Sequence, residues 1–270
     1  MNTVISRDGT AIAYERVGDG PAVILVDGAL CHRASGPARP LAARLAERFT
    51  VYAYDRRGRG DSGDAATYAV QREVEDLEAL VAEAGGRVHL YGISSGAVLA
   101  LDAVAAGLDV DRLAVYEPPF VVDDSRAPIG PEYPEQLRAL LAADRRADAV
   151  RLFMRQVGLP RVIVALMRVL PAWKQLKAVA HTLPYDAALT VDFQRGTPLD
   201  PERWSAVGVP VLVGCGGKSP AWMRTGTAAL AALLPDARSC VLPGQTHMVS
   251  PKALGPVLSD FFTERIPAAI

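Results

Sequence analysis

Short apolar runs alternate with amphipathic stretches along most of the 270-residue chain, and this alternation constrains the fold more than any other feature. PAVILV (21–26), TVYAY (50–54), VHLYG (88–92), RLAVY (112–116) and VPVLVG (209–214) are almost continuously apolar. A strand without polar alternation is buried on both faces, as in a parallel sheet covered by helices on each side. Between these runs, RPLAARLAERF (39–49), VQREVEDLEALVAEAGG (70–86) and SSGAVLALDAVAAG (94–107) carry helical spacing, and so do AWMRTGTAALAALLP (221–235) and PKALGPVLSDFFTERI (251–266). ARSCVL (237–242) reads as one more strand. The first residues, TVISRDG and TAIAYERVGDG, read as a hairpin turned at Asp8-Gly9. The expected class is α/β, with helices on both faces of a mostly parallel, eight-stranded sheet.

Residues 123–205 break the rhythm with eight prolines (128, 131, 134, 160, 171, 184, 198 and 201) and several short helical segments. The reading is a core domain of residues 1–122 and 206–270, with 123–205 inserted as a helical cap. Open α/β sheets bind ligands at the carboxyl edge of their strands, where such a cap would sit.

Composition removes several classes. Half the residues are hydrophobic, enough for a sizeable core without disulfides or metal. A net charge of −1 gives no general affinity for nucleic acid. Cys31, Cys215 and Cys240 fit neither a zinc motif nor a disulfide framework, so no metal or cofactor is expected. MNTVISRDGT lacks the marks of a secretory signal, and no apolar run reaches membrane-spanning length. A cytoplasmic location and a small-molecule substrate are the expectations; monomer and homodimer both stay open.

YGISSGAVLALDAV (91–104) carries the chemistry. Its G-x-S-x-G lies where a strand becomes a helix. A nucleophile raised on that sharp turn needs small neighbours, because the backbone passes close to adjacent elements. Gly92 and Gly96 flank Ser94 by two residues each, so Ser94 is the raised serine. The N–H of Ser95 then points at a developing oxyanion, aided by the positive end of the helix. A serine nucleophile needs a base. His89 lies inside an apolar run and reads as structural. His181 falls in the insertion. His247, in LPGQTHMVSP between the last strand and the last helix, is the candidate base.

VILVDGA, YDRRGRGDSG, YGISSG, VYEPPF, VPVLVGCGGKSP and LPGQTHMVSP, in that order, resemble the α/β-hydrolase fold over all the chain except the insertion. The resemblance maps the nucleophile to Ser94 and the histidine to His247, and implies that YDRRGRGDSG is a structural loop. It also exposes two departures. The acid that orients the histidine commonly follows VPVLVGCGG, but Ser219 occupies that place, and a hydroxyl cannot stabilise an imidazolium as a carboxylate does. Some branches set the acid one strand earlier, where this chain has Glu117 ahead of Pro118-Pro119. Related esterases begin the oxyanion loop with His-Gly; here it reads Asp27-Gly28-Ala29-Leu30. The N–H of Ala29 can still donate, because the donor is main chain. Asp27 is expected to turn away and bond loop amides, or to meet a cationic or hydroxylated substrate group.

Haloalkane dehalogenases and epoxide hydrolases of this fold use an aspartate nucleophile, so Ser94 implies acyl transfer. The expected activity is a carboxylesterase-like cleavage of an ester, thioester or lactone of a small to medium apolar acyl group. A non-hydrolytic or inactive member of the fold (a lyase, a cofactor-free oxygenase, a ligand-binding protein) and a haloperoxidase-like perhydrolase are the alternatives. Candidate pocket residues are Asp27, Leu30, His32, Phe153, Met154, Trp173, Trp222 and Met248. From Arg138 to Lys177 nine basic residues meet only Asp144 and Asp148. A solvated helix face, an anion-attracting rim and a lipid-facing surface are three readings of that segment.

Overall fold

The computed structural model describes residues 2–264. Eight strands form one sheet: β1 (Asn2–Ile5), β2 (Ala11–Val17), β3 (Ala22–Val26), β4 (Thr50–Tyr54), β5 (Val88–Ile93), β6 (Val110–Tyr116), β7 (Val211–Gly216) and β8 (Ala237–Leu242). Their spatial order is β1-β2-β4-β3-β5-β6-β7-β8. β1 and β2 form the hairpin, β2 lies antiparallel to β4, and every later pairing is parallel.

The apolar runs are continuous because each strand feeds two cores. Ile24 and Val26 of β3, Leu90 of β5 and Leu113 and Val115 of β6 face one cluster. The alternate residues Val23, Leu25, Tyr91, Ile93, Ala114 and Tyr116 face the other. On the first side pack α2 (Val70–Glu83), α3 (Ser95–Ala105) and α9 (Ala221–Leu233); on the second pack α1 (Ala38–Leu45) and α10 (Pro251–Thr263). His89 belongs to the second side, stacked on Phe262 at 4.8 Å, where burial lowers its pKa.

Between β6 and β7 run α4 (Tyr133–Ala142), α5 (Arg146–Gln156), α6 (Arg161–Met167), α7 (Ala172–Ala178) and α8 (Leu183–Thr190). They close a separate apolar cluster around Leu137, Val150, Trp173 and Leu183, with Leu30 of the core reaching into it. The end of the excursion returns to the main core. Trp204 is fully buried, stacks on Phe120 at 5.4 Å, and donates its indole N–H to Asp102 of α3 at 2.9 Å.

Several of the basic residues of this segment form surface pairs: Arg138 with Glu135, and Arg145 and Arg151 with Asp148. Val162, Leu166 and Val169, in and just after α6, are solvent-exposed.

Candidate active site

Parallel strands end on one edge, so their registers decide which C-terminal residues become neighbours. Ile93 pairs with Tyr116, which sets Ser94 beside Glu117; the Ser94 N–H donates to the Tyr116 carbonyl at 3.0 Å. Val26 pairs with Gly92, which brings the loop after β3 to the same point. A side chain on Gly28 would stand 3.0 Å from Ser94 Cβ.

Ser94 has φ 57° and ψ −125°, the strained turn expected of a residue raised between strand and helix. Its glycine neighbours are required sterically. A Cβ on Gly92 would lie 2.4 Å from the Gly96 carbonyl oxygen, and one on Gly96 would lie 2.3 Å from that of Val26. The Ser94 carbonyl accepts from Ala97 N–H at 3.0 Å. Because the peptide is planar, this aims the Ser95 N–H the opposite way, out of the start of α3.

Glu117 is fully buried and also has positive φ, 47°. Its Oε1 accepts the Gly216 N–H at 2.7 Å, and its Oε2 lies 2.9 Å from His247 Nδ1. Two strand ends and the loop after β8 thus meet at one carboxylate. Tyr116 anchors that loop, its hydroxyl donating to the Thr246 carbonyl at 2.9 Å. Ser219 is buried, and its hydroxyl has no partner among the described residues.

The remaining sequence candidates divide. Leu30, Phe153, Met154 and Trp173 come together in the apolar cluster of the helical excursion. Trp222 lies apart from it, at the start of α9, with the Arg126 guanidinium over its ring at 4.2 Å. Met248, next to His247, is 84% exposed and does not join that buried cluster. His32 forms an isolated bridge with Ser35. Asp27 meets one amide: the Ala38 N–H hydrogen-bonds its carboxylate and helps to lower its pKa. It is buried, and its Oδ2 has no hydrogen-bond partner among the described residues. Burial pushes its pKa up to about 7, against the pull of Arg59 and Arg56. Burial, with Asp27 adding to it, also raises the nearby Cys31 thiol to about 12, which keeps that sulfur neutral.

The sequence did not reveal the charge network behind these residues. Arg56, Arg57 and Arg59 of the RRGRG loop are all about 1% exposed. Arg57 forks onto Asp76 at 2.7 and 2.8 Å. Arg56 forks onto Glu73 at 2.6 and 2.7 Å and reaches Asp186 of α8 at 2.9 Å. Arg59 reaches the other oxygen of Asp186 at 2.7 Å and donates to the Gly28 carbonyl at 2.7 Å. The Ser95 hydroxyl donates to Asp186 at 2.7 Å. Burial opposes ionisation of Asp186, yet Arg59, Arg56 and Ser95 together hold its pKa below the ordinary value. Asp186 sits in LPYDAALT, where nothing in the spacing separates it from a surface helix acid. Three buried arginines needing acids were the available signal.

Comparison with known proteins now adds to this geometry. The model of the "Alpha/beta hydrolase family" matches residues 23–254. The chain belongs to the alpha/beta hydrolase family. Within that family, it is 53% identical to an alpha/beta hydrolase from Sphaerobacter thermophilus DSM 20745, with a TM-score of 0.90 over 97% of this chain and 100% of the other. A thermophilic esterase from Thermogutta terrifontis shares the fold at 22% identity, with a TM-score of 0.67 over 97% of each chain. An uncharacterized hydrolase of Bacillus subtilis (strain 168), YraK, is 34% identical over 108 residues, a match that spans 37% of this family member and 38% of YraK.

Proposed function

We propose that this protein is a serine-dependent hydrolase that cleaves an ester, thioester or lactone of a small to medium apolar acyl substrate. One observation carries the reading: Glu117 and His247, distant in sequence, meet at 2.9 Å on the sheet edge from which Ser94 rises. With its Nδ1 proton donated to Glu117, the imidazole keeps Nε2 as the basic nitrogen. Ser94 attacks the acyl carbonyl while His247 takes its proton. The amides of Ala29 and Ser95 receive the negative charge that develops on oxygen, and His247 returns the proton to the leaving group. Water then cleaves the acyl-enzyme by the same route.

The Glu117–His247 contact supplies the carboxylate that Ser219 does not, and so favours a full triad over a Ser–His dyad. Residues 123–205 act as the cap in this reading. Their Phe153, Met154 and Trp173 pack in a buried apolar cluster with Leu30 of the core, and an acyl chain would lie against this cluster. The similarity to a protein named as an esterase agrees with this chemistry.

A fluorophosphonate probe read by intact mass tests the proposal. Wild type should gain a single adduct and Ser94→Ala none. A folded wild-type protein that stays unlabelled would sink the acyl-transfer reading.

A further inference from the structure

Three groups of the catalytic edge converge on Asp186, which belongs to the helical excursion and not to the sheet. Its Oδ1 accepts the Ser95 hydroxyl at 2.7 Å and Arg56 Nη1 at 2.9 Å. Its Oδ2 accepts Arg59 Nη2 at 2.7 Å. Each contact leads onward to the backbone around Ser94. Ser95 is the first residue of α3. Arg56 Nη1 lies 3.4 Å from the Asp27 carbonyl, and Arg59 Nη1 lies 2.7 Å from the Gly28 carbonyl.

The last contact matters most. The carbonyl of Gly28 and the N–H of Ala29 belong to one planar trans peptide and point in opposite directions. A guanidinium fixed on the Gly28 oxygen therefore fixes where the Ala29 N–H aims. It also polarises the amide, which makes that N–H a stronger donor. Arg59 can do this only while its own fork is held, and Asp186 holds it, with help from the Thr182 hydroxyl at 3.0 Å.

We infer that Asp186 is a positioning residue for the oxyanion site: from the cap, it aligns the Ala29 amide through Arg59 and secures the Ser95 amide through the Ser95 hydroxyl. The inference rests on the acyl-transfer reading above. It makes α8 the fixed part of the cap, tied to catalysis, while α4–α7 are joined to the core through apolar contacts. The charge balance sharpens the test. Asp186→Asn removes one negative charge from a cluster that holds Arg56, Arg59, Glu73 and the buried Asp27, which shifts the potential near the oxyanion in the positive direction. Electrostatics alone would then raise the rate, whereas lost alignment lowers it.

The experiment measures hydrolysis of a p-nitrophenyl acyl ester, normalised by active-site titration, in wild type, Asp186→Asn and Arg59→Lys. Asp186→Asn should lower kcat about 10- to 100-fold with KM within about twofold, because the donors act on the transition state more than on the bound ester. Fluorophosphonate labelling should slow by a similar factor, since phosphonylation builds charge on the same oxygen. Arg59→Lys keeps the charge opposite Asp186 but loses the fork, and should reproduce the drop in kcat; it serves as the test if Asp186→Asn does not fold. Unchanged kcat per titrated site in both variants, with only the melting temperature lowered, would make Asp186 a fold clamp and overturn the inference while leaving the hydrolase reading intact. A wild type that neither turns over nor labels overturns both.

Discussion

Glu117 adopts a left-handed backbone conformation that costs an ordinary residue on the order of 1 kcal/mol or more. The surrounding bonds hold it there. Its N–H donates to the Gly214 carbonyl at 3.0 Å, Gly216 bonds one carboxylate oxygen, and His247 takes the other. The result is a buried carboxylate with both oxygens engaged, as the proposed mechanism asks of the partner of His247. Glu117→Gln keeps the shape and the Gly216 bond but presents a neutral amide to His247. Ester turnover should fall about 10³- to 10⁴-fold, with the fold retained by circular dichroism. Near wild-type kcat in that variant would remove Glu117 from the proposed triad.

At the scale of elements, α3 and β3 approach so closely at the elbow that no side chain fits between them. Gly96→Ala would place a methyl 2.3 Å from the Val26 carbonyl oxygen and 2.6 Å from that of Asp27. Both obstacles are backbone, so relief requires shifting β3 or the helix start. The expected loss is about 3 kcal/mol or more, read from urea unfolding. Any protein that still folds should label slowly with fluorophosphonate, because Ser94 and Gly28 no longer keep their relation. Unaltered stability would mean that α3 can slide without cost. α9 is similarly constrained: a Cβ on Gly226 would lie 2.3 Å from the Phe120 carbonyl oxygen, which fixes that helix against the turn following Glu117.

The whole molecule buries charge as well as apolar surface. Most of it is paired, as with Arg57 on Asp76 and Arg33 on Asp55, but one oxygen of Asp27 is not. Asp27 has a folded pKa of about 7 against an ordinary 3.8, so across this interval the folded state binds the proton more tightly than the unfolded state does. Its contribution to stability is therefore present near pH 4, falls as pH rises toward 7, and is flat above that. Asp27→Asn carries no such dependence. The stability of the variant relative to wild type should rise between pH 4 and 8, by a few kcal/mol in order of magnitude. Denaturant unfolding across that range checks it, and a pH-independent difference would show that Asp27 does not titrate there. Among the described residues, no helix is long and apolar enough to cross a membrane.

Taken by itself, the sequence determined the sheet and its order of elements, because burial on two faces and helical amphipathicity are local patterns that each segment carries. It also determined the elbow at Ser94, because the glycines two residues to either side answer a steric demand within one turn. Only the tertiary structure decided which distant groups meet. Strand register brought Glu117 to His247, while the unpartnered Ser219 shows that the other strand end supplies no carboxylate. Side-chain direction turned Met248 outward and left Asp27 buried without a full set of partners. Asp186 lies 91 residues from Ser95 and 127 from Arg59, and no local pattern couples positions so far apart. Contacts of that kind follow from packing a helix over the sheet edge, where buried charges must find partners wherever the fold brings them.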